Sequence, residues 1–222
     1  MSASKIKIVA ASAILLGSVT AAHAGFVTLD DDAPTKNTIT IVPENYFKGI
    51  LASQEGVTQY TLGSSLATDS AGTVSYFYYG KEAGFDNGFT SGALSYKSDF
   101  TPNTQDYFKK PFSIGSVDVA AGELNFKFCA FSAVNVGQGC VTNSENDKLN
   151  LGSKQSIAFS VLGNVAWIFW DDSGAGPDDN HDDMLIKAVF TPKSVPEPAT
   201  LGLLGLGLLG TWVGSKRRRR QA

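Results

Sequence analysis

The strand pattern is clearest between residues 124 and 130, which read Leu124-Asn125-Phe126-Lys127-Phe128-Cys129-Ala130. The even-numbered residues of this stretch are apolar, whereas Asn125 and Lys127 between them are polar. Because successive side chains of a strand point to opposite faces, this period of two predicts a strand with one face in the core. We expect this strand to run from Leu124 to Ala133.

The same period recurs along the chain in short segments that Gly, Asn, Asp and Ser clusters separate. We predict nine strands, at Thr38–Val42, Val57–Leu62, Thr73–Tyr79, Ala93–Tyr96, Phe112–Val119, Leu124–Ala133, Ser156–Leu162, Val165–Trp170 and Met184–Thr191. A short helix is expected at Asn45–Ala52. Short strands at this spacing favour an all-β fold, a single antiparallel sandwich or jelly-roll domain formed by residues 25–194.

The charges of the chain are unevenly placed. The full sequence has a formal net charge of -3, but residues 25–196 carry 11 lysines, no arginine and 20 carboxylates, a net charge of -9. Every arginine lies in the run Arg217–Arg220. A protein that binds nucleic acid needs a basic face to neutralise phosphates, so this composition argues against that class.

Residues 1–24 have the three parts of a secretory signal peptide. Two lysines precede an apolar run at 8–16, and a small-residue exit, Ala-His-Ala, occupies 22–24. The apolar run is too short to span a bilayer. We therefore expect export and cleavage by signal peptidase before Gly25.

The other end of the sequence has a different three-part pattern, at residues 195–222. It begins with Val195, Pro196, Glu197 and Pro198, continues without a charge over 199–214, and ends in a basic tail at 216–220. Sixteen helical residues cover roughly 24 Å, slightly less than a hydrocarbon core of about 30 Å. The pattern predicts a marginal membrane helix with the basic tail on the cytoplasmic side.

These three parts, in this order, resemble the PEP-CTERM sorting signal of Gram-negative bacteria that make exopolysaccharide. The resemblance implies that exosortase, a membrane transpeptidase-like enzyme, removes the tail near Pro196–Pro198. It also implies that the inner membrane holds the body of the protein briefly before delivery to the cell surface or extracellular matrix. An ordinary tail anchor is the alternative interpretation.

Cys129 and Cys140 are the two cysteines of the chain, and both lie in the exported part. Gly137-Gln138-Gly139 before Cys140 is expected to form a turn that folds the next strand against Cys129. We predict a disulfide, since such bonds persist in oxidising compartments. In the chain-entropy model, closing so short a loop contributes roughly 3 kcal/mol.

An acidic loop lies between the last two predicted strands. Six carboxylates fall within thirteen residues: Asp171, Asp172, Asp178, Asp179, Asp182 and Asp183. Carboxylates packed this densely repel one another, and calcium, which takes six to eight oxygen ligands, relieves that repulsion. Two further interpretations stay open, a solvated loop whose Asp and Asn side chains cap turns, and a catalytic carboxylate pair.

An aromatic run at residues 76–79 offers rings for stacking on sugars, with Tyr76, Tyr78 and Tyr79 as candidates. Aromatic residues in alternating strands also form cores, and the sequence does not fix which alternate set faces outward. Asp86-Asn87-Gly88 further along the chain predicts a hairpin turn.

Taken together, these features predict an exported surface or matrix protein with a structural or adhesive role, associated with exopolysaccharide or biofilm, and no enzymatic activity. Exosortase and signal peptidase are its expected processing partners, and calcium is the one expected cofactor. Two rivals remain. One is a secreted polysaccharide hydrolase that uses two carboxylates, and the other is a carbohydrate-binding module.

Overall fold

The computed structural model describes residues 24–29, 37–43, 45–83, 85–98, 111–131, 137–146, 155–172 and 180–193. Within them the chain forms fourteen strands, which are β1 (Phe26–Leu29), β2 (Asn37–Thr40), β3 (Gln59–Leu62), β4 (Ser65–Thr68), β5 (Gly72–Gly80), β6 (Asp86–Ser91), β7 (Leu94–Lys97), β8 (Phe112–Val119), β9 (Gly122–Glu123), β10 (Phe126–Phe131), β11 (Gly137–Thr142), β12 (Ser156–Leu162), β13 (Val165–Asp171) and β14 (Met184–Pro192). Helix α1 (Lys48–Ile50) continues as π-helical turns over Leu51–Glu55, and α2 spans Asn143–Asn146.

The strands form three sheets. The largest has seven strands in the order β2-β3-β12-β13-β14-β5-β8, a second has the order β11-β10-β6-β7, and the smallest has the order β1-β4-β9. Every strand pairing in the described residues is antiparallel. The predicted all-β, antiparallel sandwich-like fold is confirmed.

The main core lies between the seven-stranded sheet and the two smaller sheets, and all three sheets contribute to it. Phe128 of β10 stacks on Trp170 of β13, with ring centroids 5.3 Å apart and planes 12° apart. On the other side of the same strand, Trp167 and Phe169 pack with Phe47 and with Leu51 of the π-helical turns. Because both faces of β13 are buried, its sequence is apolar almost without interruption.

The nine predicted strands are present, and the predicted short helix is present from Lys48. β11 was expected without bounds as the strand that carries Cys140, and β1, β4, β6 and β9 were not predicted. In β4 all four residues are buried, so the polar-apolar alternation is missing. Asp86-Asn87-Gly88 begins β6 and is not the predicted turn; the chain turns instead at Gly92, whose φ is 58°. Gly88 packs where a Cβ would lie 3.0 Å from the Phe131 ring, which explains the glycine without a turn.

The predicted disulfide is confirmed. Cys129 of β10 and Cys140 of β11 are directly opposite each other in the antiparallel register, with an S–S distance of 2.08 Å. Gly137-Gln138-Gly139 belongs to β11 and is not the predicted turn. The bond therefore closes a strand pair at the edge of the four-stranded sheet.

Both predicted address segments fall mainly outside the described residues. These comprise the signal peptide up to residue 23, the sorting motif Val195, Pro196, Glu197 and Pro198, the membrane helix 199–214 and the basic tail 216–220. Among the helices of the described part, none combines the length and apolar character needed to cross a membrane.

Candidate functional site

Polar residues converge where β13 ends and β14 begins. We call this cluster the acidic junction; it comprises Asp171, Asp172, Asn180, His181, Asp182 and Asp183, all of them buried. The backbone N–H of Asp183 donates to the carbonyl of Trp170 at 3.1 Å, which closes the base of the loop. Four of the six predicted calcium ligands thus lie together, whereas Asp178 and Asp179 are outside the described residues.

Two carboxylates of the acidic junction accept hydrogen bonds from backbone N–H groups of neighbouring segments. Asp182 Oδ2 accepts from the Tyr46 backbone N–H at 2.6 Å, just before α1. Asp183 Oδ2 accepts from the Asp172 backbone N–H at 2.7 Å. Hydrogen bonds of this kind favour ionised carboxylates and fix the two strand ends to each other and to the segment before α1.

Asn87 of β6 connects the acidic junction to the opposite sheet. Its Nδ2 donates to Asp172 Oδ2 at 2.7 Å and to the Asp183 carbonyl at 3.2 Å. Its Oδ1 accepts from the Trp170 indole N–H at 3.0 Å. Asn87 is fully buried, so one side-chain amide joins β6 to the ends of β13 and β14. Sequence reasoning missed this residue because it assigned Asn87 to a turn.

His181 has a left-handed backbone, with φ of 57°, which is uncommon for a residue other than glycine. Its Nε2 lies 2.8 Å from Ser156 Oγ, and its Nδ1 faces Asp171 Oδ2 at 3.8 Å. Ser156 and Asp171 are cross-strand partners on β12 and β13, which places both side chains on one face of the sheet. The imidazole thus lies between a hydroxyl and a carboxylate, the order in which a serine hydrolase arranges these groups, although the second distance is long. His181 is not among the site residues predicted from the sequence, which therefore missed this arrangement.

Asp183 titrates abnormally. Burial raises the pKa of Asp183 well above its usual value, and the negative charge of Asp172 raises it further. The hydrogen bond from the Asp172 N–H opposes this effect, while the charges of Asp171 and Asp182 add to it. Ionised Asp183 is therefore a source of electrostatic repulsion in the folded protein.

We expect Asp183→Asn to weaken the pH dependence of stability. With its pKa raised in the folded state, Asp183 binds more protons folded than unfolded, so stability falls as pH rises from about 4 through the folded pKa. Removing this titration removes up to about 1.4 kcal/mol per pH unit in that window. Urea unfolding from pH 4 to pH 8 measures the two slopes; identical slopes would contradict the expectation.

The metal hypothesis finds no support in the described part of the chain, where no group of three or more His, Cys, Asp or Glu residues is placed to hold a metal ion. Asp182 and Asp183 instead direct an oxygen at backbone N–H donors. Calcium binding at the acidic junction stays a prediction. If it is correct, a chelator lowers the melting temperature of the protein. An equal melting temperature in chelator and in millimolar calcium would contradict the prediction that calcium binds here.

The sugar-stacking prediction needs correction for two of its three rings. Tyr76 is fully buried and Tyr78 is 8% exposed, because both point into the main core from β5. Burial raises the pKa of Tyr76 to about 12. Tyr79 points to the other face and packs edge-on against Trp167 at 4.7 Å. In this structure Tyr76 and Tyr78 are core residues and offer no face to a sugar.

Comparison with known proteins adds one finding. No curated protein and no solved structure shows significant similarity to the chain. Residues 194–219 match the family model of the PEP-CTERM protein-sorting motif. The resemblance seen in the sequence is confirmed, and the chain carries the PEP-CTERM sorting motif of an exported protein that an exosortase processes.

Proposed function

We propose that the protein is delivered by its PEP-CTERM motif to the cell surface or the extracellular matrix, where its β-sandwich has a structural or adhesive role. The observation that carries the proposal is the motif at residues 194–219, which follows directly on the end of β14 and Lys193. The whole sandwich therefore precedes the processing segment and is the part that processing releases.

Two properties of the body support an extracytoplasmic role. The Cys129–Cys140 disulfide suits an oxidising compartment. The net charge of -9 over residues 25–196 suits a hydrated matrix in which cations bridge acidic polymers and proteins. We infer association with exopolysaccharide or biofilm from this charge and from the sorting motif together.

Mass spectrometry of the surface-associated protein tests the sorting proposal. The mature form is expected to lack Arg217–Arg220 and to end near Pro196–Pro198. Replacing the four arginines with glutamine should retain the unprocessed form, because the predicted cytoplasmic anchor charge is lost. Replacing the same four arginines with lysine is the charge-matched control, because the tail then keeps its positive charge. Wild-type surface protein that keeps Arg217–Arg220 would refute exosortase processing.

A second candidate function, a secreted hydrolase, is favoured by the order of Ser156, His181 and Asp171. Ser156 Oγ would be the nucleophile and His181 Nε2, at 2.8 Å, the general base, with Asp171 orienting the imidazole. Against this candidate, His181 is 2% exposed and Asp171 fully buried, so Ser156, which is partly exposed, is the group that a substrate would have to reach.

A fluorophosphonate probe tests this candidate, since it labels only an activated serine. If the probe labels the purified protein, and if Ser156→Ala and His181→Asn each abolish the labelling, Ser156 is established as the nucleophile. Ser160→Ala is the matched control, because Ser160 lies four residues further along the same face of β12 and is partly exposed as well. Absence of labelling in the folded protein would exclude a serine hydrolase and leave the structural role.

A further inference from the structure

The backbone nitrogen of Gly25 lies against a carboxylate. Gly25 N donates to Asp69 Oδ1 at 3.0 Å, and the Asp69 backbone N–H donates back to the Gly25 carbonyl at 3.2 Å. Asp69 lies in the turn between β4 and β5, so this pair of hydrogen bonds fixes the start of β1 to that turn. The partner of the Gly25 nitrogen is thus a negatively charged side chain.

A second turn encloses Gly25 from the other side. Phe26 N–H donates to the Gly163 carbonyl at 2.9 Å, in the turn between β12 and β13. A Cβ on residue 25 would lie 2.6 Å from that carbonyl oxygen, so the site admits only glycine without backbone movement. The position of the Gly25 nitrogen is therefore set by two turns and by close packing.

The expected signal-peptidase site is the bond between Ala24 and Gly25. Its hydrolysis adds one water: Ala24 leaves with a carboxylate, and Gly25 keeps its nitrogen, which takes up a proton and becomes an α-ammonium group at neutral pH. The nitrogen that donates to Asp69 in the intact chain thereby gains a positive charge.

We propose that Asp69 is the binding site for the processed N-terminus and that removal of the signal peptide converts a hydrogen bond between an uncharged amide and a carboxylate into an ion pair that stabilises the mature sandwich. This proposal rests on the export that forms part of the proposed function. An ammonium donor adds a Coulomb attraction between opposite charges to the hydrogen bond that the carboxylate already accepts. Asp69 is exposed, which limits the gain, but the ammonium group is held by the backbone and loses no side-chain freedom.

The register of cleavage decides whether the ion pair forms. If the peptidase cuts one residue earlier, Gly25 N stays a peptide amide and Asp69 faces no charge. If it cuts one residue later, the nitrogen that donates to Asp69 is lost. The ion pair with Asp69 thus forms only when the peptidase cleaves the bond before Gly25, and not when it cleaves one bond earlier or later.

A double-mutant cycle tests the proposal with the full-length gene expressed and exported in a Gram-negative host. The first change is Asp69→Asn, which keeps an acceptor oxygen and removes the charge. The second is insertion of one serine between Ala24 and Gly25, which moves the ammonium group outward and returns Gly25 N to an amide. Mass spectrometry verifies each N-terminus, and melting temperature is the readout.

We expect Asp69→Asn to lower the melting temperature by about 2–4 °C in the native register and by less than about 1 °C in the serine-inserted chain. The difference should vanish in 1 M salt, where the Debye length falls to about 3 Å. An equal loss in both registers, or a mature N-terminus other than Gly25, would overturn the proposal. Retention of the C-terminal arginines would refute sorting alone, because this cycle does not depend on them.

Discussion

Replacing Asn87 with alanine is expected to lower the free energy of unfolding by about 3–5 kcal/mol. The change leaves the Trp170 indole N–H without its acceptor at 3.0 Å and removes the donor at 2.7 Å from Asp172 Oδ2. It also removes the donor to the Asp183 carbonyl. Each buried polar group that loses its partner costs about 1–3 kcal/mol, so the loss approaches the total stability of a marginal domain.

Asn87→Asp separates the hydrogen-bond explanation from one of simple volume. Aspartate has nearly the same shape and keeps an acceptor for Trp170, but it places a carboxylate oxygen beside Asp172 Oδ2. We expect Asn87→Asp to be at least as destabilising as Asn87→Ala at pH 7, and to recover part of its stability as the pH is lowered and a carboxylate of the pair is protonated.

Urea unfolding followed by tryptophan fluorescence measures both variants. Asn125→Ala serves as the control, because the Asn125 side chain is exposed and its loss should change stability by less than about 0.5 kcal/mol. A loss below about 1 kcal/mol in Asn87→Ala, or pH-independent destabilisation in Asn87→Asp, would show that Asn87 does not hold the two sheets together.

The sequence predicted the strands in which packing preserves a simple periodic pattern. The bounds of β8 and β12 agree with prediction at both ends, and β13 differs by one residue, because alternation or an unbroken apolar run directly reflects burial on one or both faces. β4, whose residues Ser65 and Thr68 are buried together with its apolar ones, has no such pattern. β4 is buried by parts of the chain that are distant in sequence, such as Asn143, so the local sequence does not show its burial.

The polar contacts of the candidate site could not be predicted from local sequence, because their partners are distant in the chain. Asn87 and Trp170 are 83 residues apart, and Asn45 donates to the carbonyl of Asn180 across 135 residues at 2.6 Å. The density of carboxylates at residues 171–183 did identify the region. The density of carboxylates does not show where each oxygen points. In the structure, Asp182 and Asp183 each point an oxygen at a backbone N–H group and not at a common centre.

Two asparagines of α2, Asn143 and Asn146, connect separate sheets through side-chain hydrogen bonds, as Asn87 does at the acidic junction. Asn143 Oδ1 accepts from the Leu66 N–H, and its Nδ2 donates to the carbonyls of Leu66 and Leu124, all at 2.8 Å. Asn146 contacts Ile157 of β12 in the same two-way manner and also donates to the Ser64 carbonyl. Helix α2 thus supplies side-chain amides that bond to the backbone of β4 in the smallest sheet and of β12 in the largest, and so joins the two sheets.

We therefore expect Asn143→Ala to cost about 2–4 kcal/mol, because it removes the Asn143 partner of the buried Leu66 N–H and of the Leu124 carbonyl, whereas the Leu66 carbonyl keeps the Leu124 N–H. Ser144→Ala is the matched control in the same helical turn: its side chain is exposed, and the expected change is within about 0.5 kcal/mol.

Asn146→Ala should match Asn143→Ala, and the double variant should lose less stability than the sum of the two single variants, because both residues hold the same short helix and its release is counted once. Strict additivity, measured by urea unfolding, would mean that the two asparagines hold β4 and β12 independently and that α2 does not couple the sheets.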